Sequence, residues 1–241
     1  MNRRIFDTAT DAISALARLI EQKAQSQEHL SVGISGGSTP KPLYELLGSS
    51  PLREALAERS ITWVLVDERY VPSNDPQSNA RMIRATLFRD GVSPSHRFLD
   101  FDTDLGDPAK TARQFEAQWH TSGLNALDIV TLGIGEDGHT ASLFPGTSVL
   151  EVRDHIAAAV WVPRLDQWRV TLTLPVIQSA KIRIVLAAGS SKAPVVRDVA
   201  LGVDHPVTRA VNGEGETWWF LDRAAAADLE RSGLKAANGG F

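Results

Sequence analysis

The chain has 241 residues, 43% of them hydrophobic, a formal net charge of −4 and no cysteine. Its length and apolar content can bury the core of one large α/β domain or two small ones. The missing cysteine excludes disulfides, thiolate metal sites and cysteine nucleophiles. The acidic balance excludes a general attraction to nucleic acid or anionic membranes, so any anionic ligand must be held by a few local cations.

Residues 1–10 have no apolar core of the kind a signal peptide needs, and no segment approaches about 18 consecutive apolar residues. A protein that is neither exported by that route nor membrane-spanning is expected, for which the cytoplasm fits. Apolar residues at Ala12, Ile13, Leu16, Ala17, Leu19 and Ile20 predict an amphipathic helix over 9–25. Residues 30–34 form a short apolar strand, followed by Ser35-Gly36-Gly37-Ser38-Thr39-Pro40 and a helical run through Leu43, Tyr44, Leu46 and Leu47. Pro40 and Pro42 suit a first helical turn, where a missing N–H costs nothing. A second buried strand over 61–66 ends in Asp67-Glu68-Arg69, and a turn with Asn74, Asp75 and Pro76 leads to a helix over 78–88.

A helix over 108–119 precedes a strand opening at Leu127, and 157–162 and 169–174 read as further strands. The strand 182–188 runs into Gly189-Ser190-Ser191-Lys192 and a helix over 193–201. Residues 217–221 read as an edge strand, 223–231 as a final helix, and 235–241 as a flexible tail behind a single domain of 1–234. Strands alternating with helices at this spacing predict an α/β fold: a mostly parallel, Rossmann-like, doubly wound sheet with helices on both faces.

The chemistry concentrates in LDIVTLGIGEDGHTASLFPG at 127–146. Residues 127–134 read as a strand buried on both faces, and ligands of parallel sheets bind beyond the carboxyl ends of the strands. Gly133, Gly135 and Gly138 let the backbone turn sharply there, which places Glu136, Asp137 and His139 at the strand end. Histidine titrates near neutral pH, so it suits acid–base work.

Two patterns fail on context. Residues 133–138 match G-x-G-x-x-G, but Pro145 and Gly146 interrupt the long helix a dinucleotide site needs, and no acidic residue ends the next strand. Residues 33–37 match the G-x-S-x-G nucleophile elbow, but they follow the first strand rather than a central one. Asp137, two residues from His139, is also badly placed for the far ring nitrogen.

Ser35, Gly36, Gly37, Ser38 and Thr39 offer N–H donors and hydroxyls at a helix N-terminus, where the helix dipole favours an anion. The spacing to Lys41 does not fit a nucleotide P-loop, so a monophosphate on a small molecule is the expected guest. Lys192, Arg169 and Arg69 are the cations that could reach it.

SGGSTP at 35–40, VDERYVP at 66–72, SNARM at 78–82, GIGEDGHTASLFPG at 133–146, RVTLTLP at 169–175 and GSSKA at 189–193 together closely resemble 6-phosphogluconolactonases. The resemblance implies hydrolysis of 6-phosphogluconolactone, the second step of the oxidative pentose phosphate pathway. It also implies His139 as the general base, with the glycine-serine loop, Arg69, Arg169 and Lys192 lining the phosphosugar site. Asp137 is expected to orient the imidazole, Arg69 or backbone N–H groups near Gly135 to steady the oxyanion, and Asp67 to contact substrate hydroxyls. The other histidines show no ligand spacing, so neither metal nor cofactor is expected. The expected partner is a phosphosugar lactone, without nucleic acid or membrane, acting on a monomer or weak homodimer.

The sequence is also similar to glucosamine-6-phosphate deaminases, which share Asp137 and His139. Those enzymes place a glutamate in an N-E-P run shortly after the histidine, where this chain has Leu143-Phe144-Pro145. A third expectation, a sugar-phosphate-sensing domain of a transcription regulator, is opposed by how few residues precede the first helix.

Overall fold

The computed structural model describes residues 1–233, so residue 234 and the tail expected at 235–241 lie outside the described residues. The chain opens with β1 (Asn2–Phe6), α1 (Ala9–Ser26), β2 (His29–Ile34), α2 (Lys41–Leu47), α3 (Leu52–Ala57) and β3 (Ser60–Leu65). The middle contributes β4 (Asp67–Arg69), α4 (Asn79–Thr86), β5 (His96–Leu99), α5 (Pro108–Thr121) and β6 (Ile129–Leu132). The last third contributes β7 (Ala157–Val162), β8 (Gln167–Leu172), α6 (Leu174–Gln178), β9 (Ile182–Ala187), α7 (Ala193–Ala200), α8 (Pro206–Ala210), β10 (Glu216–Asp222) and α9 (Arg223–Arg231).

Local chemistry starts the helices where they start. Thr8 Oγ1 accepts from Asp11 N at 3.2 Å while Asp11 Oδ2 accepts from Thr8 N at 3.1 Å, a reciprocal cap that satisfies two orphan donors of α1. Behind that cap, Ala12, Ile13, Leu16, Ala17, Leu19, Ile20 and Ala24 form one buried stripe, the face predicted by their spacing. Each large aliphatic side chain buried this way stabilises by about 1.5–3 kcal/mol.

Among the described residues seven strands form the main sheet, in the order β1-β10-β9-β6-β2-β3-β5. All of its pairings are parallel. Consecutive residues of β2, β3, β6 and β9 are buried, so both faces are covered, which explains their uninterrupted apolar runs. From β2 the chain winds outward to β3 and β5, returns through α5 to β6, and then winds the other way to β9 and β10. The winding direction therefore reverses between β2 and β6. Crevices at the carboxyl ends of such strands are where doubly wound sheets hold ligands.

The small sheet β4-β8-β7 is antiparallel and stands apart from the main one. Val66 joins the two, its N–H donating to Ile34 O at 3.0 Å and its carbonyl accepting from Leu172 N at 2.8 Å. This accounts for the Asp67-Glu68-Arg69 cluster, which is a short strand of its own.

One expectation is corrected. Residues 217–221 were expected at an edge, yet β10 lies inside the sheet between β1 and β9, with Trp218 to Leu221 all buried. The edge is β1, whose Asn2, Arg3 and Arg4 give no apolar run to read. Pairing with β10, more than 200 residues away, makes it a strand. Burial also hides Arg183 near the start of β9. Its guanidinium donates to the carbonyls of Gln178 at 2.6 Å, Ala180 at 2.8 Å and Gly213 at 3.2 Å, and of Gly215. A charge so deep is tolerable only with its donors satisfied.

Candidate active site

Because the main-sheet strands are parallel, the loops after β2, β3, β6 and β9 leave from one edge of the sheet. These loops carry the residues singled out from the sequence except Asp67 and Arg69, which lie on β4 just after β3, and Arg169, which arrives on β8.

The loop after β6 turns at once. Gly138 N–H donates to Gly135 O at 3.0 Å and Gly135 N–H to His139 O at 2.8 Å. This tight loop brings Asp137 Oδ1 to 2.5 Å from His139 Nδ1 and leaves Nε2 to face away from it, which corrects the expectation that an aspartate two residues away is badly placed for the far ring nitrogen. A side chain on residue 135 would displace the imidazole, since its Cβ would stand 2.0 Å from His139 Nδ1 and 2.5 Å from Asp137 Oδ1. The imidazole stacks on Phe144, with ring centroids 4.3 Å apart and planes inclined by 25°. Its Nε2 has no hydrogen-bond partner among the described residues. Burial works against the charge of Asp137, but the hydrogen bond and charge of His139, and then Arg164, hold its carboxyl below the ordinary aspartate value.

Arg164 was not among the residues singled out from the sequence. It lies in the turn between β7 and β8, with Nη2 at 2.7 Å from Asp137 Oδ2 and 3.5 Å from His139 Nδ1. Its Cζ stands 4.9 Å from the centre of the Phe144 ring. No motif marks it, because only the folding of the β7–β8 hairpin over the loop creates the contact.

The two arginines of the sequence reading also meet. Arg69 on β4 and Arg169 on β8 are direct partners across the antiparallel ladder. Like charges placed opposite each other destabilise a sheet. Each Nε is buried without a hydrogen-bond partner among the described residues, although Arg69 Nη1 donates to Gln77 O at 2.7 Å. Burial lowers the hold of Arg169 on its proton. Repulsion from Arg69 and Arg164 adds to this, while Asp67 and Glu68 oppose it. Two adjacent guanidiniums with unspent donors make a receptor for an anion.

Glu68 holds this corner in place. It is 1% exposed and accepts from Asn79 N, Ala80 N and Arg69 N, each at 2.7 Å, and from Ser78 Oγ at 3.0 Å. Burial pushes its carboxyl above the ordinary value despite these bonds. Ser78 caps α4 by accepting from Arg81 N at 3.1 Å. Asp67 is buried, and its Oδ2 accepts from Ser142 Oγ at 2.6 Å, which ties β4 to the loop after β6.

In the first loop the residues divide. Ser35 is 4% exposed, and its hydroxyl donates to Thr131 O at 2.6 Å, bridging the ends of β2 and β6. It therefore points into the sheet, unlike Ser38 and Thr39, whose hydroxyls have no partner among the described residues. Gly36 presses against Asn79, whose Oδ1 would lie 1.8 Å from a Cβ at that position. Asn79 in turn donates to Asp67 O at 2.8 Å, so the loops after β2 and β3 are locked together. Lys192 sits half-buried in the loop after β9, the strand beside β6, with no ion-pair partner among the described residues.

A groove of about 910 Å³ between α4 and α5, lined by Arg81, Arg84 and Gln114, borders the site at Ser78 and Ala80 and is lined by none of His139, Asp137, Arg69, Arg169 and Lys192. No group of three or more His, Cys, Asp or Glu among the described residues could hold a metal ion. No helix among them is long and apolar enough to cross a membrane.

Comparison with known proteins gives a consistent likeness. A family model described as glucosamine-6-phosphate isomerases/6-phosphogluconolactonase matches residues 6–219. A 6-phosphogluconolactonase of Nostoc is 36% identical over 227 residues, spanning 87% of this chain and 89% of that protein. The crystal structure of the 6-phosphogluconolactonase from Leishmania guyanensis is similar with a TM-score of 0.81 at 30% identity, covering 93% of this chain and 97% of that one. A monomeric glucosamine-6-phosphate deaminase is similar with a TM-score of 0.79 at 25% identity, covering 95% of this chain and 100% of that one.

Proposed function

The chain belongs to the family of glucosamine-6-phosphate isomerases and 6-phosphogluconolactonases, and from that premise we propose that it hydrolyses 6-phosphogluconolactone to 6-phosphogluconate. The observation that carries the mechanism is the 2.5 Å contact between Asp137 and His139 Nδ1. With Asp137 accepting the Nδ1 proton, the lone pair of Nε2 is left for a water molecule. That nitrogen takes a proton as the water attacks the lactone carbonyl carbon, giving a tetrahedral oxyanion and an imidazolium. When the carbon–oxygen bond to the ring oxygen breaks, the imidazolium returns its proton to the departing oxygen.

Arg169, Lys192, Ser38, Thr39 and the N–H groups of the first loop are assigned to the substrate's phosphate, and Arg69, with its unspent Nε donor, to the oxyanion of the tetrahedral intermediate. Asp67 supports the loop through Ser142. Phe144 favours the lactonase over the deaminase. It stands where the deaminase pattern has a glutamate, and it places an apolar ring against the imidazole instead of a second carboxylate.

Acid release in a pH-stat tests this. The wild type should accelerate hydrolysis of 6-phosphogluconolactone well beyond gluconolactone, and Arg169→Ala should lose most of that preference. His139→Ala should lower kcat by roughly 10²- to 10⁴-fold. A folded wild type that accelerates neither lactone would exclude the activity, and near-normal turnover of His139→Ala would remove His139 from it.

A further inference from the structure

Resting on the lactonase reading, we infer that Arg164 is a positioning residue of this site: it holds Asp137 against His139 and opposes protonation of the imidazole. Four side chains close a ring here. Arg164 binds Asp137 Oδ2 at 2.7 Å, Asp137 Oδ1 meets His139 Nδ1 at 2.5 Å, His139 stacks on Phe144, and Phe144 lies under the Arg164 guanidinium. Arg164 comes from the turn between β7 and β8, which closes through Asp166 in the left-handed region at φ 48°. The other three belong to the loop after β6, so the contact spans two separately folded pieces.

The geometry has two consequences. Each carboxylate oxygen of Asp137 has its own partner, so the carboxylate cannot rotate away from the imidazole, and Phe144 fixes the plane of the ring. Electrostatically, Asp137 alone would favour the imidazolium, and a guanidinium 3.5 Å from Nδ1 counteracts it. The charged groups facing His139 are therefore Asp137 from its own loop and Arg164 from the hairpin. Glu136 is exposed beside them. Arg169 is the next cation outward and repels Arg164. On the far side of Gly138 lies His205 at the start of α8, with Nε2 at 4.0 Å from Asp198 Oδ2. Neither His205 nor Asp198 contacts the His139 ring.

The sign follows. Without the guanidinium the imidazole holds its proton to higher pH, so the base is lost earlier as pH falls. Arg164 is about half exposed, so solvent screening weakens this effect.

The experiment compares wild type, Arg164→Gln and Arg164→Lys by pH–rate profiles from pH 5 to 8 on both lactones. The His139 ring is titrated in parallel by nuclear magnetic resonance. Arg164→Gln should move the acid limb of kcat/KM, and the His139 titration, to higher pH. Its kcat at pH 7 should fall roughly tenfold on both substrates, with thermal stability nearly unchanged. Arg164→Lys should return the limb toward wild type while kcat stays below it. An unmoved His139 titration in Arg164→Gln would overturn the inference, as would a change confined to KM for the phosphorylated lactone, which would make Arg164 a phosphate ligand. If the wild type hydrolysed neither lactone, the lactonase reading would fall, and the His139 titration would still decide the role of Arg164.

Discussion

Adding a single methyl group at Gly135 tests whether the observed position of the imidazole is the working one. A Cβ at residue 135 would stand 2.0 Å from His139 Nδ1, and ordinary van der Waals contact begins near 3.4 Å, so the ring must retreat by about 1.4 Å. It can do so cheaply, because it is the far end of a partly exposed side chain rather than backbone. The cost to folding should stay below about 1 kcal/mol, within the range of surface substitutions. The chemical cost is larger. Displacing a reacting group by about 1 Å costs on the order of 10²-fold in rate, or about 2.7 kcal/mol of transition-state stabilisation. The retreat also breaks the contact with Asp137, so Gly135→Ala should lose roughly 10²- to 10³-fold in kcat while its Tm falls by only a few degrees. Gly133→Ala is the control, two residues earlier in the same loop, where nothing lies within 4 Å of the added Cβ. It should stay within a few-fold of wild type. Both variants are measured for kcat in the pH-stat and for Tm by calorimetry. Equal activity of the two, with both folded, would refute the assigned position of the imidazole.

Two more outcomes are expected elsewhere in the molecule. Ser35→Ala removes a buried hydroxyl that donates to Thr131 O, so it should cost about 1–2 kcal/mol of stability and leave turnover within several-fold of wild type, with no burst of product. A folded but inactive Ser35→Ala enzyme together with a stoichiometric burst would restore a serine nucleophile. His96 accepts from Trp63 Nε1 at Nδ1, 3.3 Å away, and donates from Nε2 to Leu56 O at 2.9 Å. Burial lowers it below its ordinary value of 6.5, against the opposing bond to Leu56. The unfolded chain therefore binds this proton first as pH falls, and the stability His96 contributes above about pH 6.5 is lost as pH drops through its folded value. Urea unfolding at pH 7.5 and 5.5 should show wild type losing more stability on acidification than His96→Gln, and equal losses would exclude the effect.

The sequence by itself determined whatever depends on neighbours in the chain. Continuous apolar runs in β2, β3, β6 and β9 announced strands buried on both faces, and helical spacing announced the buried stripe of α1. The turn at 135–139 was legible for the same reason, since its glycines, its aspartate and its histidine lie within five residues and make their contacts locally. Pairing between distant segments was not legible. Nothing in the polar stretch at Asn2 to Arg4 shows that it borders β10, so the edge of the sheet was placed wrongly. Ser35 looked like one more hydroxyl of the first loop, and only the neighbouring β6 turns it inward. Arg69 and Arg169, 100 residues apart, were both expected to line the phosphosugar site, but only the register of β4 against β8 sets them opposite each other. Arg164 had no sequence signal at all, because its role exists only where the β7–β8 hairpin lies over the loop after β6. Period and turn chemistry are written in consecutive residues, but which strand meets which, and in what register, is decided by burying the whole chain at once.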